Sequence, residues 1–472
     1  MKIIPVEARE WLPDQPDLNN PGLTLAKNVF PTPGGYGPVR EIDFSPDVAS
    51  LSQDTGIPDT EFVVECFAKL SSKRYVISSG HSVKYFNASN SVQDVTPASG
   101  FEINTKFDFT AFAVYGDDVY INSASLTGGG LYKFVDGSAG TFVSGSPGSP
   151  VMARVGNFLM TASVTTLTWS AFNDPDTWTI TPGNQAGSAQ VANPEYGIVT
   201  KITGGRTPLI FQEYGISRLE YVGPPLIWRT TPISAGYGAR AIGSAVVAND
   251  ITYFMDHGGP CATDGSSVVR LGDNVVNRWV EENTVAIPVR TIHWREGRKI
   301  IWEPNAGYKA GGSATPNNKF LVYDYSLDQF SYFEYTGLTL FHDGDTPRVS
   351  NENRPLYGVG AYTGSFFTGP LTEQTLAAEI ETGHLAAQPG HRTAVRGAEP
   401  LYTGSGATCA VSTKETVNGA ATVSNYTAQN AQGFCDLNGS GRYVGIKTNI
   451  APASEWSDFS GWNVDAEVTG EN

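Results

Sequence analysis

WSAFNDPDTW, Trp169 to Trp178, sets an indole at each end of ten residues whose middle, Asn173-Asp174-Pro175-Asp176, reads as a tight turn. Proline fixes φ and the Asn and Asp side chains bond back to their own backbone, so the chain must reverse there. The stretch is one of several similar segments. The others are VKYFNASNSVQDVT (Val83 to Thr96), LYKFVDGSAGTFVS (Leu131 to Ser144), RLEYVGPPLIWRTT (Arg218 to Thr231), VVRLGDNVVNRWVE (Val268 to Glu281) and VYDYSLDQFSYFEY (Val322 to Tyr335). Each reads as a strand, a polar turn and a return strand with a large apolar residue: Val92, Phe142, Trp178, Trp228, Trp279 and Phe330. Successive separations are 50, 36, 50, 51 and 51 residues.

A second short hairpin precedes each copy, as in TAFAVYGDDVYINSA and SAVVANDITYFMD. Two hairpins in about 50 residues make a four-stranded unit the size of a propeller blade. A blade has two flat faces and can bury neither alone, so the bulky rings are expected to fill the gaps between neighbouring blades. The expected fold is all-β, a β-propeller of six or seven four-stranded blades, with a large β-sandwich of irregular hairpins as the competing architecture. RPLYGVGAYTGSFFTG (Arg354 to Gly369) is the candidate seventh blade.

Apolar runs closed by Gly, Asn, Asp and Pro fill the rest of the chain, and Gly 52 and Pro 29 exceed the usual share. LTEQTLAAEIETG (Leu371 to Gly383) tolerates a helix but alternates well enough for a strand. Residues 1–55, with seven prolines up to Pro38, read as an extended N-terminal arm; 56–385 are assigned to the propeller; 386–472, Thr- and Ser-rich with alternation in GRYVGIKTNI, form a C-terminal β-sandwich-like platform. The arm is expected to pack with that platform.

The formal net charge of −16 argues against a high-affinity grip on nucleic acid, which needs clustered Lys and Arg. It permits a passage through which DNA slides without sticking. The longest apolar run near the amino terminus is four residues, Ile3 to Val6, so neither a signal-peptide core nor a membrane anchor is expected. Cys66, Cys261, Cys409 and Cys435 are too far apart in sequence for a zinc knuckle or a CxxC pair and read as buried free thiols.

No local motif points firmly to catalysis. SAFNDPDTW approaches the Asp-box of sialidase-type propellers but lacks its Gly, and that box stabilises turns. His257 and Cys261 in DHGGPC are four apart across Gly-Gly-Pro, which reads as a turn leaving a blade. Asp436 to Gly441 resembles half a calcium loop without its distal Glu and reads as a hairpin turn. TGGG (Thr127 to Gly130) and VTKITGG read as blade connections, and RTIHWREGRK (Arg290 to Lys299) as a solvated hairpin. No catalytic residue, cofactor or metal is expected.

Both ends of the chain resemble a known family. WLPDQPDLNNPGLTLAKNVFPTPGGYGPVRE is similar to the opening arm of podovirus tail nozzle or hub proteins, the tail tubular protein B-like family; WSAFNDPDTW resembles a blade hairpin there, and GRYVGIKTNIAPASEWSDFSGWNVDAE resembles the closing strands. The chain departs from that pattern in having no long insertion between blades, leaving GYKAGGSATPNNK (Gly307 to Lys319) as the candidate tip. The resemblance implies a structural virion protein, made in the host bacterial cytoplasm and housed in the tail of a short-tailed phage. It implies a ring, typically of six copies, below the portal and adaptor proteins, bearing fibres or spikes, with DNA only as passing cargo. Aromatics outside the blades, Trp11, Tyr36, Trp456 and Trp462, are expected at subunit or adaptor contacts, with Arg40 and Arg442 as ion-pairing partners. The alternatives are a glycan-active or glycan-binding propeller, sialidase-like enzyme or lectin, and a monomeric scaffold for transient partners.

Overall fold

The computed structural model describes residues 3–42, 63–69, 73–78, 83–86, 92–98, 112–122, 129–135, 137–284, 289–294, 297–303, 319–334, 338–341, 357–360, 366–367 and 371–471. Among the described residues, six successive antiparallel meanders of four strands form the propeller. Their first strands are Val63–Lys69, Phe112–Tyr115, Val151–Val155, Val199–Ile202, Ala245–Ala248 and Arg290–Trp294, which begin blades 1 to 6. Leu338–Phe341, Tyr357–Gly360 and Phe366–Phe367 make a further sheet, of three strands among the described residues, two of them from the candidate seventh blade. The first strands of blades 2, 3 and 4 pack side by side in that order, as do those of blades 5 and 6. Separate sheets in radial succession are a propeller and exclude a two-sheet sandwich for this part of the chain.

Period-two alternation explains why these strands read as nearly continuous apolar runs. In blade 6, Leu321 and Tyr323 enter one apolar cluster while Phe320 and Val322 enter another on the opposite face. In Lys299–Glu303, Ile300 and Trp302 face one way and Ile301 the other. A strand covered on both faces has no polar face to show.

The two tryptophans of WSAFNDPDTW divide between the two faces of blade 3. Trp169 ends the third strand, Thr166–Trp169, and packs with Val151, Phe158 and Met160 against Val199, Ile210 and Leu219 of blade 4. Trp178 packs with Met152 and Leu159 against Ala113, Tyr120, Leu131 and Val143 on the blade 2 side. The turn also reaches blade 2 through its polar atoms. Tyr120 Oη donates to Asp176 Oδ1 at 2.6 Å, and Lys133 Nζ donates to Asp176 Oδ2 at 2.6 Å. Trp178 Nε1 donates to the Pro175 carbonyl at 2.9 Å, so the indole has its partner inside the turn.

Four of the six repeated segments are the third and fourth strands of their blades: Val83–Phe86 with Val92–Asp94, Leu131–Phe134 with Thr141–Phe142, Gly215–Gly223 with Ile227–Ala235, and Lys319–Asp324 with Gln329–Glu334. Two differ from the expectation. Trp178 lies in the connection to the fourth strand Gly187–Gln190, because Asp174 Oδ1 accepts the Asp176 amide and an Ala171–Asp174 bridge closes the turn too early for a ladder. Trp279 lies on a helix, Asn277–Asn283, because Val268–Arg270 is already the fourth strand of blade 5. The gap-filling role also fails at Phe142, which is 52% exposed on the Tyr132 ring.

The platform is a sandwich built from both ends of the chain. In one sheet the long strands His391–Gly404 and Trp456–Glu471 pair with each other; Cys435–Gly441 pairs with the first of them and Ile3–Glu7 with the second. In the other, Leu23–Lys27 pairs with Ala378–Thr382, which pairs with Tyr443–Ile450, which pairs with Ala407–Lys414. Leu371–Thr375 pairs with Arg40–Ile42 of the arm. Residues 371–385 therefore belong with the platform, ahead of the boundary at 386 drawn from texture: the strand reading of LTEQTLAAEIETG holds, and its ladder partners are platform and arm strands.

Trp178→Ala is expected to open a cavity between blades 2 and 3 and cost about 3–5 kcal/mol. Phe172→Ala, which removes a 41% exposed ring from the same turn, is expected to cost less than half as much. Urea denaturation of the two variants checks the order.

Candidate functional site

The four aromatics expected at partner contacts are inside the chain. Trp11 and Tyr36 are each 1% exposed, Trp462 is fully buried and Trp456 is 6% exposed. Trp11 sits edge-on to Trp279 at 5.5 Å and 5.1 Å from the Tyr332 ring, while Tyr36 Oη donates to the Arg9 carbonyl at 3.0 Å. Trp462 Nε1 donates to Thr448 Oγ1 at 2.6 Å, and Trp456 packs in the same core. They hold arm, platform and propeller together, which removes them as contacts to another chain. Arg40 is exposed on the strand that pairs with Leu371–Thr375, and Arg442, partly exposed, follows the edge strand Cys435–Gly441. The structure does not bring these six residues to one surface.

What it does assemble is a junction of arm, propeller and platform. Asp14 of the arm caps the helix Asn277–Asn283 in trans: its Oδ2 accepts the Arg278 amide at 2.8 Å and its Oδ1 the Trp279 amide at 3.1 Å. These amides have no partner within the helix, and Val276 at the N-cap offers no side-chain acceptor. Gln15 Nε2 donates to the Asn274 carbonyl at 2.8 Å, and Arg278 reaches the Pro13 carbonyl at 2.6 Å.

Asn28 is the second attachment. Its φ of 57° is tolerated by Asn better than by most residues, and it places four polar groups in three directions. Its amide donates to the Tyr332 carbonyl at 2.9 Å and its carbonyl accepts from the Val39 amide at 3.2 Å. Its Nδ2 donates to the Ala377 carbonyl at 2.7 Å and its Oδ1 accepts from the Glu334 amide at 2.8 Å. One side chain thus joins the outer strand of blade 6 to the platform. Beside it, Lys27 lies 3.0 Å from both Glu334 and Glu379. Partial burial works against the Lys27 charge, but these hydrogen bonds outweigh it and hold the amine above its ordinary value.

A third cluster has the geometry of a Ser-His-Asp relay. His384 Nδ1 is 2.9 Å from both Asp17 carboxylate oxygens, and Ser412 Oγ is 2.8 Å from His384 Nε2. In the tautomer that donates Nδ1–H to Asp17, Nε2 accepts the Ser412 hydroxyl. Lys414 closes the group by pairing with Asp17. Ser412 is fully buried and His384 is 3% exposed, so the hydroxyl faces packed side chains and cannot meet a substrate. The arrangement ties residue 17 of the arm to two platform strands. Nothing local announces it, because its members lie 367 and 28 residues apart.

The remaining motifs are structural. Asp256–Gly259 turns between the second and third strands of blade 5; His257 stacks on Tyr214 at 4.7 Å, and burial pushes the Cys261 thiol up to about 12, with Asp256 reinforcing the effect. Asp436 to Gly441 lies within the extended strand Cys435–Gly441, a correction to its reading as a turn, because its ladder runs along His391–Gly404. RTIHWREGRK does form a hairpin, but Lys299 is 7% exposed and paired with Asp324 at 2.7 Å, so that end is buried rather than solvated. Of TGGG, Gly129 and Gly130 precede Leu131–Phe134 within blade 2, so this stretch connects strands of one blade; the rest of it lies outside the described residues. So do the candidate tip residues 307–318. Among the described residues no cluster of His, Cys, Asp and Glu could hold a metal, and no helix is long and apolar enough to cross a membrane.

Neither a family model nor a curated protein matches the chain. Among solved structures it is similar to the Pan2 WD40 domain of Neurospora crassa, with 11% identity, a TM-score of 0.39 and coverage of 66% of this chain and 90% of that one. It is also similar to YCF48 bound to a D1 peptide (9%, 0.39, 67% and 94%) and to the WD40 β-propeller domain of Doa1 (9%, 0.38, 64% and 90%). The propeller assignment rests on the sheets themselves.

Two outcomes are expected of junction variants. Asn28→Gly keeps the positive φ and loses two side-chain hydrogen bonds, one to each body, at a cost of about 2–3 kcal/mol in thermal or urea unfolding. Burial pushes the Asp17 carboxyl up, but hydrogen bonds from Lys414 and His384 overcome it and hold the group below its ordinary 3.8. Its stabilisation is therefore present above that value and lost as pH falls through the lower folded one. Asp17→Asn is expected to be less stable than the parent by about 1 kcal/mol at pH 7, since the carboxylate is partly screened by water, and the two unfolding curves should converge below about pH 4.

Proposed function

We propose that this chain is a structural subunit of the tail of a short-tailed phage, the nozzle or hub through which the genome leaves, and that it has no catalytic residue of its own. The observation that carries the reading is that the two end segments which resemble nozzle proteins, residues 11–41 and 441–467, fold together as one platform. That platform is attached to the propeller by the helix cap at Asp14, the four bonds of Asn28 and the parallel contact of Lys27 with Tyr332. A conduit wall under load needs such a rigid elbow, with its strongest aromatic contacts spent inside the subunit.

The acidic composition fits the same role. A wall with a net charge of −16 per subunit repels phosphates, so DNA passes without adsorbing. The subunits assemble as a closed ring, typically of six, by heterologous contacts, with portal or adaptor proteins at one end and fibres or spikes outside. The virion tail is its location.

Native mass spectrometry and single-particle imaging test this. A ring of about six copies with an open bore, together with no retardation of duplex DNA at low salt, is the expected result. A monomer that binds glycans, or a ring without a bore, would overturn it.

A further inference from the structure

The centre of the platform holds a polar thread that none of the preceding roles uses. Trp462 Nε1 donates to Thr448 Oγ1, Thr448 Oγ1 lies 3.3 Å from Cys409 Sγ, and Cys409 and Cys435 belong to the same buried core. The strands that carry them lie directly against each other: a Cβ added at Gly439 would meet the Val411 side chain, and one at Gly441 the Thr413 side chain. Both thiols are free and fully buried. They come from opposite sheets of the sandwich, Cys409 from Ala407–Lys414 and Cys435 from Cys435–Gly441. The backbone holds them close by a second route. Cys409 is the ladder partner of Thr427, and Gln429, two residues on, bridges to Cys435.

We infer that Cys409 and Cys435 are a built-in disulfide site: reduced where the protein is made, and oxidised to a cross-sheet bond that staples the platform once the protein meets an oxidising medium. Two thiols buried in one core, on strands that lie directly against each other, are placed to bond, unlike Cys261, which lies in blade 5. The oxidant is a small-molecule disulfide. One of the two cysteines, as its thiolate, attacks one of the oxidant's sulfurs and expels the other as a thiolate, which takes up a proton. The second cysteine then loses its proton and attacks the protein sulfur of the mixed disulfide, expelling the second small thiol. Two protein thiols are oxidised, and one disulfide is reduced to two thiols. Because both sulfurs are fully buried, oxidation proceeds through transient opening of the platform or during folding, and is slow.

The bond would close a loop with 25 residues between the cysteines, long enough to restrict the unfolded chain considerably. The test uses the full chain, purified with reductant, freed of it, and held in oxidised glutathione. Thiols are then counted with maleimide in denaturant, and digested peptides are mapped. The expected result is a fall from four free thiols to two, a Cys409–Cys435 linked peptide, and a Tm raised by roughly 5 °C that dithiothreitol reverses. Cys409→Ser and Cys435→Ser should each keep three free thiols and show no Tm response to the oxidant. Four titratable thiols after prolonged oxidation, or a linkage that includes Cys66 or Cys261, would overturn the inference. None of these outcomes depends on whether the chain forms a ring.

Discussion

A four-stranded sheet whose two faces are both apolar cannot stand in water alone, and this constraint organises the molecule. Each blade of the propeller covers a face of the next. The gap between blades 2 and 3 is filled by Trp178, and that between blades 3 and 4 by Trp169 with Val151, Met160 and Leu219. Burial of apolar area at about 25 cal/mol per Å² makes each such face worth several kcal/mol, but only when the neighbour is present. Folding is therefore expected to be cooperative along the ring of blades, and a turn that supplies a ring to each side contributes to two interfaces at once.

The same constraint explains why the arm and platform are fused to blade 6. Its far face, with Ile292, Ile301, Phe320, Val322 and Phe333, is covered in part by Phe30 and Val39 of the arm and by Leu376. Its near face merges with Tyr253 and Met255 of blade 5, Trp11 and the core of the platform in a single continuous apolar cluster. Several polar groups at this crossing are satisfied locally: Asn28 uses four bonds, Asp14 caps a helix that offers itself no cap, and Lys27 bridges two glutamates. Buried polar groups satisfied in this way specify one geometry, since any other docking would strand them.

The buried Asp17-His384-Ser412 group illustrates how chemistry and structure share a geometry. The distances suit proton transfer, yet a hydroxyl with no exposed surface has no reaction to perform, and the group acts as a tether for the arm. The two adjoining thiols deeper in the platform are different: their reaction partner is each other, so burial delays the chemistry without forbidding it.

The amino-acid sequence by itself determined the β class, the two-hairpin unit and the gap-filling purpose of the paired tryptophans, because period-two alternation and turn residues are local and the repeat makes them visible several times. It also marked the ends of the chain as distinct from the blades. Only the tertiary structure decided that Trp178 sits in a connection and Trp279 on a helix, since a helix capped by Asp14 depends on a residue more than 260 positions away. Only it decided that Trp11, Tyr36, Trp456 and Trp462 are core residues. An aromatic outside a repeat reads the same whether it faces another chain or another part of its own, and long-range packing is the physical fact that separates the two.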